Sequence, residues 1–144
     1  MISQKSRHAL RALLLIASRG DGATVQISEI IGHEGIPKKF LQLIFVELKN
    51  NCLVVGRRGP IGGYSLSRPA DQINFANILR ITDGPLALTP CVSVTAYTKC
   101  KDCIAETTCT VRKILLRVRN ATADILESNT LADALIAEKR EENA

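Results

Sequence analysis

The sequence predicts a mainly α fold with a small β-hairpin wing: a winged helix-turn-helix followed by a long dimerisation helix. Three observations predict it. Helix-period segments come in the order long, short, long, and lead into two β-prone runs around a Gly-rich loop with two arginines. Residues 1–68 carry ten Lys/Arg against four Asp/Glu, whereas residues 69–144 carry nine against ten. Near the C-terminus a helical apolar stripe runs longer than a domain of this size needs internally.

A chain of 144 residues has room for one core, and 46% hydrophobic content marks it as globular rather than disordered. Three Phe, two Tyr and no Trp make that core aliphatic and argue against base stacking on an aromatic platform. No stretch approaches the roughly 18 apolar residues of a membrane span. The run from Ala9 to Ala17 is broken by Arg11, and no leader pattern precedes it. A cytoplasmic protein with no membrane partner is the expectation. In that compartment cysteines serve as metal ligands or redox thiols more often than as structural disulfides.

The elements follow in order. Ser3 to Ser18 reads as a helix with Ala9, Leu10, Leu13, Leu14, Ile16 and Ala17 on its apolar face, stopped by Gly20-Asp21-Gly22. Ile27, Ile30 and Ile31 support a short second helix, broken between Gly32 and Gly35. Pro37 suits the first turn of a third helix, Lys38 to Lys49, with Phe40, Leu41, Ile44, Phe45 and Leu48 inward and Asn50-Asn51 as a left-handed stop. Leu53-Val54-Val55 and Tyr64-Ser65-Leu66 are the hairpin strands, with Arg57 and Arg58 at the loop tip. Asn74 to Thr82 is a short helix capped by Asn74. Residues 86–103 show no period. A helix then runs from about Ala105 to Glu127, and about 20 residues of it span about 30 Å. Its stripe is Val111, Ile114, Leu115, Val118, Ala121, Ile125 and Leu126, and a last helix follows from Leu131 to about Arg140.

In a helix-turn-helix the second helix of the pair offers its early residues to base edges in the major groove. Here Lys38, Lys39 and Gln42 face outward from that helix, and Gln pairs with adenine as Lys does with guanine or phosphate. In the hairpin, Arg57, Arg58, Gly59, Gly62 and Gly63 combine positive charge with a backbone that approaches phosphate or a narrow groove closely. Double-stranded DNA, as a palindromic operator, is the expected partner.

Cys91, Cys100, Cys103 and Cys109 lie close together, while Cys52 stands apart. Eight residues separate Cys91 from Cys100, two separate Cys100 from Cys103, and five separate Cys103 from Cys109. Four soft ligands in one short segment suit an iron–sulfur cluster or zinc. Lys99, Lys101 and Arg112 stabilise thiolates nearby. Cys52 reads as a small buried hydrophobe. The same cysteines also suit a thiol switch, with Cys100/Cys103 or Cys91/Cys109 as a disulfide. A redox enzyme built on the CxxC is disfavoured, since no βαβ pattern surrounds it.

Arg58-Gly59-Pro60-Ile61-Gly62-Gly63-Tyr64 resembles the wing of the IscR, NsrR and RirA group of bacterial regulators. The resemblance extends back through Ile36, Phe40-Leu41, Phe45, Leu48 and Leu53-Val54. It extends forward to Asp83, Cys91, Cys103 and Cys109, and ends at Thr130-Leu131-Ala132-Asp133. It implies a homodimeric winged-helix regulator that senses iron, redox state or nitric oxide through a [2Fe–2S] or [4Fe–4S] cluster. The resemblance places Cys91, Cys103 and Cys109 at the three ligand positions. Cys100 is additional, and Arg112 stands where a histidine ligand occurs in the group. Arg7 stands on the first helix where a carboxylate ligand occurs, and Gln42 stands where a glutamate occurs.

The expected organisation is a DNA-binding domain at 1–84, a cysteine-rich cofactor loop at 85–110 with Cys91, Cys100, Cys103 and Cys109 as ligands, and a dimerisation helix with its tail at 105–144. Val111, Ile114, Leu115, Val118 and Ile125 are the expected dimer contacts. The expected function is a non-enzymatic, homodimeric transcriptional regulator, a repressor, with a cluster-free thiol switch as the alternative.

Overall fold

The computed structural model describes residues 1–144. Its order is α1 (Gln4–Ser18), α2 (Ile27–Glu34), α3 (Lys38–Asn50), β1 (Val54–Arg57), β2 (Gly63–Leu66), α4 (Phe75–Thr82), α5 (Thr110–Ser128) and α6 (Leu131–Glu142). Short 3₁₀ turns lie at Ala70–Gln72, Pro90–Val92 and Glu106–Thr108. The fold is mostly helical with a two-stranded antiparallel hairpin, as the sequence predicts.

Local chemistry sets the element ends. Ser3 caps α1, its hydroxyl accepting the Ser6 N–H, and Asn74 and Thr130 each form a capping box at α4 and α6. Gly35 ends α2 in the left-handed region with φ 66°. Gly32, expected to help break that helix, stays within it, because a single glycine costs a helix only about 1 kcal/mol. The end of α3 differs from expectation. The left-handed residue is Cys52, with φ 59°, and not Asn50 or Asn51. Cys52 N–H donates to Lys49 C=O at 3.0 Å and Leu53 N–H to Leu48 C=O at 3.0 Å, which is a Schellman motif. Leu48 and Leu53 are both buried beneath it. This turn puts Cys52 on the surface, so it is not the buried hydrophobe expected.

The core is one aliphatic cluster shared by α1, α2, α3, α4, the hairpin and the Ala70–Gln72 turn. Leu13, Ile16, Ile30, Ile36, Leu41, Ile44, Phe45, Leu48 and Ile73 are among its fully buried members. Leu131, at the start of α6, is buried in the same cluster, its N–H donating to Ile73 C=O at 2.9 Å. α6 therefore packs back on α1. Polar ties join α1 to α4: Asp83 accepts from the N–H and hydroxyl of Ser3, and Ser6 and Thr82 hydroxyls are hydrogen-bonded at 2.5 Å in the interior. Burial alone would raise the Asp83 pKa, but the hydrogen bonds from Ser3 and Ser6 outweigh it and hold the carboxyl below its ordinary range.

α5 stands apart from this core. It begins at Thr110, five residues later than expected, because Glu106–Thr108 is a 3₁₀ turn and Cys109 is the N-cap. None of its residues is fully buried. It packs on α4, with the Arg80 guanidinium 2.6 Å from Glu127.

Non-glycine residues in the left-handed region cost about 1 kcal/mol or more. Cys52→Gly should therefore raise the unfolding free energy by about 1 kcal/mol, partly offset by backbone entropy, in denaturant titrations. An equal or lower midpoint would show that the turn tolerates the side chain without strain.

Candidate functional site

Two surfaces carry chemistry: the outer face of α3 with the hairpin, and the loop between α4 and α5.

α2, Gly35 and α3 form a compact pair pinned by fully buried Ile36. Pro37 occupies the N-cap of α3, one residue before the first turn. Inward Leu41, Ile44, Phe45 and Leu48 fix the rotation of α3. Lys38, Lys39 and Gln42 are consequently exposed, as are Leu43, 68% exposed, and Val46, 52% exposed. Leu43 and Val46 are the two exposed apolar side chains of this face. Their signal was present in the helical period, which places them off the buried stripe beside Lys39 and Gln42.

The hairpin is a rigid projection. Val54 pairs with Leu66 and Arg57 with Gly63, so Arg57 ends β1 and only Arg58 lies in the loop beyond. Both arginines had been expected at the tip. Gly62 N–H donates to Gly59 C=O at 2.9 Å, closing a turn with Pro60 and Ile61 at its centre. A Cβ on Gly62 would lie 2.5 Å from the Arg57 carbonyl oxygen, and one on Gly63 would lie 2.4 Å from that of Val25. Val25 adds a bridge to Tyr64, with N–H to C=O bonds of 2.9 and 2.8 Å in the two directions. Tyr64 packs on Phe45 of α3 with ring centroids 4.5 Å apart, which seats the hairpin against α3. Gln26 also donates to the Pro60 carbonyl at 3.0 Å.

The electrostatics of this face are uncompensated. Ion pairs engage Lys5, Arg11, Arg19, Arg80 and Arg112, and leave Lys38, Lys39, Arg57 and Arg58 unpaired. A shallow groove lined by Gln26, Lys49, Arg57, Arg58 and Gly62 separates the hairpin from α2 and α3. Free cations beside a projecting helix face suit a polyanion with a groove.

In the second surface, Cys91 is buried in the Pro90–Val92 turn, with the Thr89 hydroxyl 3.3 Å from its sulfur. Cys109 is half-buried as N-cap of α5, and its sulfur accepts the Arg112 N–H at 3.4 Å. The Arg112 side chain donates to the Cys91 carbonyl at 3.3 Å and lies 3.7 Å from Glu106, which accepts from the Tyr97 hydroxyl. That hydrogen bond holds the Tyr97 phenol above its usual range. Cys103 is half-buried and its N–H donates to Cys100 C=O at 3.2 Å, so the CxxC forms a turn. Cys100 is exposed, and its thiol pKa is raised, first by interaction with the Cys91 thiol and then by the Cys91 charge.

The loop thus carries Cys91, Cys100 and Cys103 and places Cys109 at the helix start. No three of these side chains converge on a single point. Their donor chemistry fits a soft metal centre: four thiols on one loop, one of them capping a helix N-terminus that favours negative charge. His8 is elsewhere, edge-on to Phe40 at 5.5 Å, with neither ring nitrogen hydrogen-bonded. Burial, then Arg11 and Arg7, lower its pKa, with Glu34 opposing.

The model of a family described as Rrf2, iron-dependent transcriptional regulator, matches residues 2–137. This chain belongs to the Rrf2 family. An rrf2-like helix-turn-helix transcriptional regulator of Rhodobacter capsulatus is 38% identical over 140 residues, covering 95% of this chain and 93% of that protein. CymR, the global cysteine regulator of B. subtilis, superposes with a TM-score of 0.76 at 25% identity, covering 93% of this chain and 95% of CymR. IscR of T. potens superposes with a TM-score of 0.78 at 22% identity, covering all of this chain and 92% of IscR, and shows the shared winged fold. The Rrf2 chain is accordingly a DNA-binding transcriptional regulator and not an enzyme. None of its helices is long and apolar enough to cross a membrane.

The glycine geometry is a direct test of the wing. Gly63→Ala should force the hairpin away from Val25 and lower DNA affinity at least tenfold while the chain stays folded by circular dichroism. Unchanged affinity would show that the Val25 bridge does not orient the wing.

Proposed function

We propose that this Rrf2 protein is a homodimeric repressor whose operator binding responds to an iron–sulfur cluster held by the α4–α5 loop. The observation that carries the reading is the junction at Cys109. The same residue belongs to the cysteine group and caps α5, the helix with the exposed apolar stripe.

α5 supports the dimer. Val111, Ile114, Val118 and Ile125 are 66, 50, 39 and 63% exposed. With Ala121 they recur at alternating steps of three and four, the seam of a paired helix. Leu115 is half-buried at the flank of this seam. Burial of such a stripe against a second copy contributes about 25 cal/mol per Å².

DNA is read by the two recognition helices of the dimer. Lys38, Lys39 and Gln42 meet base edges and phosphates, Leu43 and Val46 offer apolar contact to thymine methyl groups, and Arg57 and Arg58 reach backbone or minor groove. Gly59, Gly62 and Gly63 supply the wing geometry that carries them.

Cys91, Cys103 and Cys109 are the proposed cluster ligands, with Cys100 as fourth ligand or spare thiol. A bound cluster would supply a centre that iron supply, oxidants or nitric oxide remove. Arg112 occupies the position at which a histidine ligand would stand, and it binds the Cys91 carbonyl instead, so it orders the loop without ligating. CymR, a cysteine regulator of the same fold, supports the second reading, a cluster-free thiol switch.

Three outcomes follow. Arg57→Ala with Arg58→Ala should weaken operator binding and reduce the slope of log affinity against log salt by about one to two phosphate contacts; an unchanged slope would remove the wing from DNA contact. Ile114→Asp should give monomers in sedimentation and loss of operator affinity, whereas a wild type monomeric at micromolar concentration would refute the dimer. Protein prepared without oxygen should be brown and carry iron and sulfide, which Cys→Ser at 91, 103 or 109 removes and Cys52→Ser does not. Colourless wild type with free thiols would replace the cluster by the thiol switch.

A further inference from the structure

Ile61, at the tip of the hairpin, is 89% exposed. Isolated apolar side chains are ordinary on protein surfaces, and exposure alone assigns Ile61 nothing. The setting of this one is unusual. Three contacts hold the turn that presents it: Gly62 N–H to Gly59 C=O at 2.9 Å, the Gln26 amide to Pro60 C=O at 3.0 Å, and the Val25 bridge to Tyr64 just behind. Pro60 has a fixed φ, which narrows the freedom of the tip further. Ile is branched at Cβ and stiff at χ1, so little side-chain entropy remains to be lost on insertion. Thr24, Arg57, Arg58, Pro60 and Ile61 line one notch at this tip, so the apolar side chain and both arginines share one surface.

We propose that Ile61 is a wedge: it enters the minor groove of bound DNA and partly unstacks one base step, so that the protein selects DNA that kinks easily there. This wedge rests on the reading above in which the wing meets operator DNA. Charge names duplex DNA as the occupant of the tip. Arg57 and Arg58 have no ion-pair partner, and a narrow minor groove concentrates the negative potential that attracts arginine. A groove about 6 Å wide admits single side chains but not a helix, and the tip offers only Pro60 and Ile61 beyond the arginines. Apolar side chains of this kind open base steps from the minor groove, at a cost set by the step that is opened. Pyrimidine–purine steps, TA and CA/TG, kink most readily. The Ile61 side chain neither donates nor accepts a hydrogen bond, so it reads no base edge. Its discrimination lies in the deformation energy of the step. Lys38, Lys39 and Gln42 then specify bases in the major groove, while Ile61 specifies flexibility at a separate position that none of them touches.

The test selects DNA from a random duplex pool with the full-length wild type and with Ile61→Ser, then compares binding by gel shift over a salt series. Wild type should enrich a TA or CA/TG step at a fixed distance from the bases that α3 specifies. Ile61→Ser should lose that enrichment and keep the specified bases. On the DNA selected by wild type, Ile61→Ser should bind about tenfold more weakly with an unchanged salt slope, because an apolar burial is lost and no phosphate contact is. Ile61→Leu should stay near wild type. A fluorescent adenine analogue at the enriched step should brighten when wild type binds and stay quenched with Ile61→Ser. Wild-type step preference and wild-type brightening in Ile61→Ser would overturn the wedge, as would the absence of any flexible step from the DNA that wild type selects. The Arg57→Ala, Arg58→Ala double variant separates the two ideas. If its salt slope falls while Ile61→Ser changes nothing, only the wedge fails; if its salt slope is that of wild type, the wing reading fails and the wedge with it.

Discussion

At the first turn of α5 the Arg112 N–H donates to the Cys109 sulfur while its guanidinium donates to the Cys91 carbonyl and faces Glu106. These contacts hold both ends of the cysteine loop to one helix terminus. The loop has little regular structure and few buried residues of its own, so its shape depends on this tie. Any change at the sulfurs therefore acts first on the cap of α5. Because α5 buries none of its residues within one chain, its position depends on the cap, on α4 and on whatever covers its apolar stripe.

From α5 the route to DNA is short. Arg80 and Glu127 join α4 to α5, the Ser3–Asp83 and Ser6–Thr82 bonds join α4 to α1, and α1 and α4 both pack on α3. Tyr64 on Phe45 then carries the wing with α3. The DNA-binding half is built on a single aliphatic core. In a dimer joined through α5, a shift at the cap changes the separation of two such bodies rather than the shape of either. Operator affinity is sensitive to that separation, because the two half-sites have a fixed helical spacing.

Much of this was legible in the sequence, and the exceptions have physical causes. α1, α3, the hairpin and α4 were visible because apolar period, caps and glycines agreed there, as at Ser3, Asn74 and Gly59-Pro60. Arg57 was misplaced because strand length in a Gly-rich hairpin depends on pairing with Gly63, which no period encodes. Val25 was invisible as the bridge that anchors the hairpin, since one bridging residue leaves no alternation. Cys52 was read by its residue type, whereas the Schellman hydrogen bonds decided its exposure. α5 starts late because Cys109, a residue without strong capping preference, caps it. The cysteine group was evident from composition, but its partners were not: the Arg112 bond to the Cys91 carbonyl depends on how the loop folds back onto α5.

The claim at the centre of this account is that the cysteine loop controls the recognition helices through the start of α5. It is tested most directly by measuring operator affinity, on DNA selected by the protein itself, for the anaerobically prepared and metal-stripped forms of wild type and Arg112→Ala. The account predicts at least a tenfold difference between the two forms in wild type and a much smaller one in Arg112→Ala, with both variants dimeric. Equal affinities of the two wild-type forms, or an undiminished difference in Arg112→Ala, would contradict it.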